Sequence, residues 1–139
     1  MEEDIMLYKL IEQGFGNSEN YNCAEKIIYG ANQAYQLNLD KTALKLSAGF
    51  GGGMGVETTC GALSAGVMVL SHMFVNDYAH ESSTIKTLTQ ELFSLFHQEL
   101  GEINCAPLKA KYRTPEVQCS KIILAAAKAL DSVIANHKK

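Results

Sequence analysis

The chain has 139 residues, enough for one domain and short for two. Hydrophobic residues make up 47% of it and charged residues 19%, which excludes a disordered tail and calls for a real core. Twelve Lys and Arg against fifteen Asp and Glu give a net charge of -3, so no basic footprint for nucleic acid is present.

Six helices are predicted. The first runs from about Glu3 to Gln13; its start, MEEDIMLYKL, is too acidic and interrupted for a signal peptide, and Gly14 and Gly16 stop it. The second begins near Tyr21, after the polar GNSEN, and runs to Leu37. A short third follows an Asp40 N-cap to about Ala48. The run GFGGGMGVE reads as a loop, since glycine disfavours regular structure. The fourth helix starts behind Thr58 or Thr59 as N-cap and ends near Val75. Its apolar stretch, Gly61 to Val75, contains Ser64, Ser71 and His72 and falls short of the roughly 18 apolar residues of a membrane span. The fifth runs from Ser83 or Thr84 to Leu100, with Gly101 just past its end. The sixth opens on Thr114-Pro115-Glu116, a cap followed by proline at N1 and an acid in the first turn, and continues to about Asn136.

No segment alternates with period two and no hairpin dipeptide appears. The fold class is therefore all-α, a single-domain bundle over residues 1–139 with five to six helices and a Gly-rich loop before the central one. Apolar seams at helical steps agree: Cys60, Leu63, Val67, Leu70 and Phe74; Cys119, Ile123, Ala126, Leu130 and Val133; Cys23, Ile27, Ala31 and Ala34. In each seam a cysteine takes the first inward position. The stripe Ile85, Leu88, Leu92, Leu95 and Phe96 is core. The expected setting is cytoplasmic, without nucleic-acid partners or membrane insertion.

The four cysteines, Cys23, Cys60, Cys105 and Cys119, show no C-x2-C spacing of a zinc ribbon or thioredoxin type. Topology says more. In an up-down bundle the second, fourth and sixth helices run parallel, which puts three cysteine-bearing N-termini at one end. The fifth helix ends at that same pole, a few residues before Cys105. Helix N-termini carry partial positive charge and favour a thiolate, the form that exchanges disulfides and binds metal. Lys109, Lys111 and Arg113 add positive potential. The contrary reading is that each cysteine packs as an inert small hydrophobe, in a helical interaction module without chemistry. Permanent disulfides are disfavoured in a cytosolic setting.

The glycine run before Cys60 fits no G-x-G-x-x-G register and no G-K-[ST] phosphate loop. Gly51, Gly52, Gly53 and Gly61 instead let backbone approach the cysteines closely and offer N–H donors to sulfur or a bound group. Gly61 with Ala65, and Ala62 with Gly66, form small pairs that admit a neighbouring helix. The histidines show no i, i+4 pairing; His72 reads as a satisfied buried group, His80 and His137 as solvated.

Asn22-Cys23-Ala24-Glu25, the Gly49–Gly53 run, Cys60-Gly61-Ala62-Leu63-Ser64-Ala65-Gly66, and then Cys105 and Cys119 together resemble the C_GCAxxG_C_C family, small proteins grouped as redox-active. Where the motif spelling calls for glycine at position 65, this chain has Ala65 followed by Gly66. The resemblance implies redox activity carried by the four cysteines. The same framework is similar to part of split-Soret cytochromes, which hold an iron–sulfur cluster beside c-type haems. Without C-x-x-C-H, covalent haem is not implied here. Four thiolates match an iron–sulfur cluster or an all-cysteine zinc site. Two chemistries thus stand side by side. In one, Cys60, at the best-marked helix start, attacks an incoming disulfide and Cys23, Cys105 or Cys119 resolves it. In the other, all four ligate a metal centre. The sequence names no redox partner, and its mild charge is compatible with a homodimer.

Overall fold

The computed structural model describes residues 6–82 and 84–137. Helices form where apolar residues recur at helical spacing, and several of them end where the backbone turns left-handed. Helix α1 (Leu7–Glu12) ends before Gly14, at φ +97°. The predicted start at Glu3 lies outside the described residues. Helix α2 (Cys23–Ala34) stops three residues earlier than expected, because Gln36 and Asn38 both take positive φ. The Asn32 side chain holds that turn, accepting from the Leu39 N–H at 2.9 Å. Asp40 caps α3 (Lys41–Leu44) as predicted, accepting from the Ala43 N–H, and a 3-10 helix follows over Lys45–Phe50. Helices α4 (Gly61–Phe74) and α5 (Thr84–Leu100) match their predicted extents closely, and Gly101 leaves α5 at φ +80°. Ser83, the alternative start of α5, is not among the described residues.

Three predictions need correction. The glycine run is organised rather than loose: Gly52, Gly53, Met54, Gly55 and Glu57 all take positive φ and wind a tight left-handed turn. A helix is added, α6 (Cys105–Tyr112), making seven α-helices among the described residues. That segment carries Pro107. It stands at the third helical position, where its missing N–H would have had no partner within the helix. Finally, Thr114-Pro115-Glu116 caps a single turn that does not propagate. The Thr114 hydroxyl accepts from the Val117 N–H at 3.1 Å, but Gln118 turns to φ +53°, and α7 (Ser120–His137) begins beyond it.

Helix α4 is the centre of the bundle, packed against α2, α5 and α7, and its contact with α2 is the most extensive. Helix α1 lies on α2 and α7, while α6 rests on the glycine turn and the start of α7. The predicted seams face inward: Leu63, Leu70, Leu88, Leu92, Phe96, Leu130 and Val133 are fully buried. Each such side chain contributes about 1.5–3 kcal/mol relative to exposure. Gly61, Ala62, Ala65 and Gly66 are buried too, so α4 is enclosed on its small-residue face as well. His72 is exposed, its Nε2 3.2 Å from the Leu37 carbonyl, which corrects its reading as buried.

A polar anchor lies away from the cysteines. Asp131 on α7 is 4% exposed, and its two carboxylate oxygens accept from the N–H groups of Leu7 (3.0 Å) and Tyr8 (2.9 Å). The Tyr35 hydroxyl donates to it as well. One carboxylate thus caps α1 from another helix and satisfies one buried and two part-buried donors. Burial, with the Asp131 charge beside it, pushes the Tyr35 hydroxyl far above its ordinary pKa and keeps it a donor. Among the described residues no helix is long and apolar enough to cross a membrane.

Candidate functional site

Each cysteine stands at the start of a helix, and the local sequence explains why. Asn22 and Glu25 form a reciprocal cap: the Asn22 side chain accepts from the Glu25 N–H and the Glu25 carboxylate from the Asn22 N–H, both at 2.9 Å. That sets Cys23 at the first position of α2. Asn22 also donates to the Ala48 carbonyl at 3.0 Å, tying α2 to the segment that enters the glycine turn.

Cys60 and Cys105 are placed together. Thr59 and Asn104 pair as a short antiparallel bridge. The Cys60 N–H donates to the Ile103 carbonyl at 2.9 Å and the Cys105 N–H to the Thr58 carbonyl at 2.6 Å. Cys60 itself is the N-cap of α4, in place of the predicted Thr58 or Thr59, because Thr59 is held in the bridge and the Thr58 hydroxyl donates to the Gly53 carbonyl. Cys119 ends the 114–118 turn, and its carbonyl accepts the first bond of α7, from the Ile123 N–H at 3.0 Å.

The N-termini of α2, α4, α6 and α7 open on one cavity of about 240 Å3, lined by all four cysteines. The structure brings together every predicted thiol. Of the four predicted glycines, Gly52 and Gly61 line this cavity and Gly51 and Gly53 do not. Gly51 lies against the Asn22 side chain, and a β-carbon on Gly53 would sit 2.7 Å from the Cys105 β-carbon. These two serve close packing, with no open face toward a bound group. Gly61 does both: a β-carbon there would come within 2.7 Å of the Cys23 sulfur. Of the predicted cations, Lys109 and Arg113 line the cavity; Lys111 instead lies over the Tyr112 ring.

All four cysteines are free thiols, Cys60 and Cys105 buried and Cys23 and Cys119 half-buried. Burial pushes the Cys60 thiol up to about 12, with Cys23 the next cause, outweighing the N–H groups of Leu63 and Ala62 that pull it down. The helix N-terminus at Cys60 does not yield the low-pKa nucleophile expected there. At Cys105 burial also raises the thiol, opposed by the nearby Lys109 ammonium. One zinc ion needs donors about 2.0–2.3 Å from a single point. Among the described residues, no three His, Cys, Asp or Glu side chains stand close enough together to hold one ion. The four thiols line the cavity without converging on a point, so the zinc expectation does not fit this arrangement.

Sequence reasoning missed Lys26, which lines the same cavity from the second turn of α2. Its position three residues after Cys23 was the available signal, since that spacing places both on one helix face. It also missed Asp131 and Tyr35, which are far apart in the chain. The family model described as "Putative redox-active protein (C_GCAxxG_C_C)" matches residues 21–133, and the chain belongs to that family. No curated protein and no solved structure matches it.

Proposed function

We propose that this member of a redox-active family is a thiol–disulfide exchange protein whose cavity thiols work as two neighbouring pairs. The observation that carries the reading is a single cavity lined by four free cysteines, two reached by solvent and two buried. Cys23 is the attacking thiol because it is partly exposed and adjoins Gly61 at the start of α4. Its thiolate attacks one sulfur of an incoming disulfide, forming a mixed disulfide and releasing one thiolate, which takes up a proton. Cys60 then loses its proton and attacks the Cys23 sulfur; the Cys23–Cys60 bond forms as the second thiolate leaves and is protonated. The substrate disulfide is reduced to two thiols and the two cysteines are oxidised to one disulfide. Cys119 and Cys105, one half-buried and one buried, repeat that arrangement.

A second reading is favoured by the cavity itself. Four thiols around one half-open cavity at four helix N-termini match the donor count of an iron–sulfur cluster, and the positive helix ends suit its negative charge. A bound cluster would supply one-electron transfer, with Cys23, Cys60, Cys105 and Cys119 as its holders.

Anaerobic purification without chelator, followed by an absorption spectrum with metal and thiol content on one sample, separates these. Four titratable thiols without metal, converting to disulfide under mild oxidant and trapped as a Cys23 adduct in Cys60→Ser, support exchange. A visible sulfur-to-iron band with stoichiometric iron replaces exchange with the cluster. Four unreactive thiols overturn both and leave the cysteines as packing.

A further inference from the structure

We infer that the cysteine cavity selects small disulfides whose arms carry carboxylates, a substrate class that rests on the exchange reaction proposed above. The charge around the thiols has one sign. Lys26, Lys109 and Arg113 line the cavity with the four cysteines, and no Asp or Glu is among its lining residues, in a chain whose net charge is -3. Their partners leave much of that charge uncompensated. Lys109 meets Glu57 at 3.2 Å, but Lys26 donates to the neutral Asn17 side chain at 2.7 Å and the Arg113 guanidinium to the neutral Gln118 side chain. Among the described residues, neither Lys26 nor Arg113 has a carboxylate partner. The four helix N-termini that open on the cavity add the same sign.

Size narrows the substrate further. A cavity of about 240 Å3 admits a disulfide with arms of a few carbons. A carboxylate on such an arm meets Arg113 or Lys26 while the S–S bond lies against Cys23. Arg113 offers a planar pair of donors for that contact, Lys26 a point charge. The same cations stabilise the thiolate that leaves, so the positive field acts on binding and on the bond-breaking step.

Three small disulfides of similar size test this: 3,3′-dithiodipropionate (anionic), bis(2-hydroxyethyl) disulfide (neutral) and cystamine (cationic). Each rate of protein oxidation is divided by the rate of a free small thiol with the same disulfide, which removes leaving-group differences. The expected order is anionic, neutral, cationic, with roughly tenfold or more in kcat/KM between the ends. Arg113→Gln and Lys26→Gln each reduce that preference several-fold, mainly through KM, whereas Arg113→Lys retains most of it. Added salt compresses the preference in the unmodified protein, a readout that needs no variant. Equal normalised rates for all three, or a cationic preference, overturn the charge selection and leave exchange standing. Thiols inert to all three overturn exchange and this inference together.

Discussion

Gly61 is the residue on which the approach of α4 to Cys23 depends, and Gly61→Ala tests that dependence. A β-carbon there would lie 2.7 Å from the Cys23 sulfur and nearer still to the Phe50 carbonyl oxygen. Nonbonded heavy atoms settle about 3.5–4.0 Å apart, so the start of α4 has to move by roughly 1 Å. One of the two obstacles is backbone and cannot rotate aside. Overpacking of this kind costs about 1–3 kcal/mol, and replacing glycine by alanine in a helix returns at most about 1 kcal/mol. The net loss is therefore about 0–2 kcal/mol with about 1 as its centre, which at a urea dependence of about 2 kcal/mol/M lowers the unfolding midpoint by roughly 0.5 M. Gly66→Ala is the matched control. Its β-carbon would sit 3.0 Å from a methyl of Leu92, the far end of a side chain that can turn, so the helix-propensity gain offsets the contact and the midpoint holds or rises. Urea unfolding of both variants, with the rate of Cys23–Cys60 disulfide formation on the folded proteins, reads the two consequences separately. Unchanged stability and an unchanged oxidation rate in Gly61→Ala would refute the close-approach argument.

Two further predictions concern stability and pH. Asp131→Ala strands the N–H groups of Leu7 and Tyr8 and the Tyr35 hydroxyl; it is expected to cost about 3–5 kcal/mol in thermal or urea unfolding, against about 1 kcal/mol for Tyr35→Phe. Cys60 keeps its proton in the fold up to about 12, against an ordinary value of 9.0, so its contribution is complete below pH 9 and drains away as pH rises from there toward 12. Unfolding midpoints measured from pH 8.5 upward should fall more steeply in the native protein than in Cys60→Ala, and equal slopes would exclude the buried neutral thiol.

Much of the bundle was legible because its signals are local. The seams in α2, α4, α5 and α7 announce their inward faces, and Asp40 and Gly101 mark a start and a stop by side chain and backbone alone. What escaped depends on partners remote in sequence. Thr59 is a good N-cap by type, yet its pairing with Asn104 draws it out of the helix and passes the position to Cys60. The start of α6 is fixed by the same bridge, through the bond from the Cys105 N–H to the Thr58 carbonyl. The left-handed turn at Gly52–Glu57 is likewise a collective feature: the glycines permit it, and Met54 and Glu57 take positive φ inside the loop that the Thr58–Gly53 bond closes. The gathering of the cysteines was expected from alternating helix directions, with the short third helix and the glycine run spanning one return, and all four line one cavity.

That the four thiols share one position in their helices has a consequence for reactivity. Each sits at a helix N-terminus, so the helix dipole, which acts within the first turn, favours all four alike and cannot rank them. Depth can. Cys60 is 4% exposed, and there burial overrides the two N–H groups aimed at its sulfur. At the less enclosed Cys105, Lys109 pulls against burial without reversing it. Cys23 and Cys119 are only half-buried, and Lys26, Lys109 and Arg113 line the same cavity. Under the exchange reaction proposed above, a field common to four thiols would become selective through unequal burial, with the two half-buried thiols open to attack a substrate and the two buried ones placed to finish the reaction.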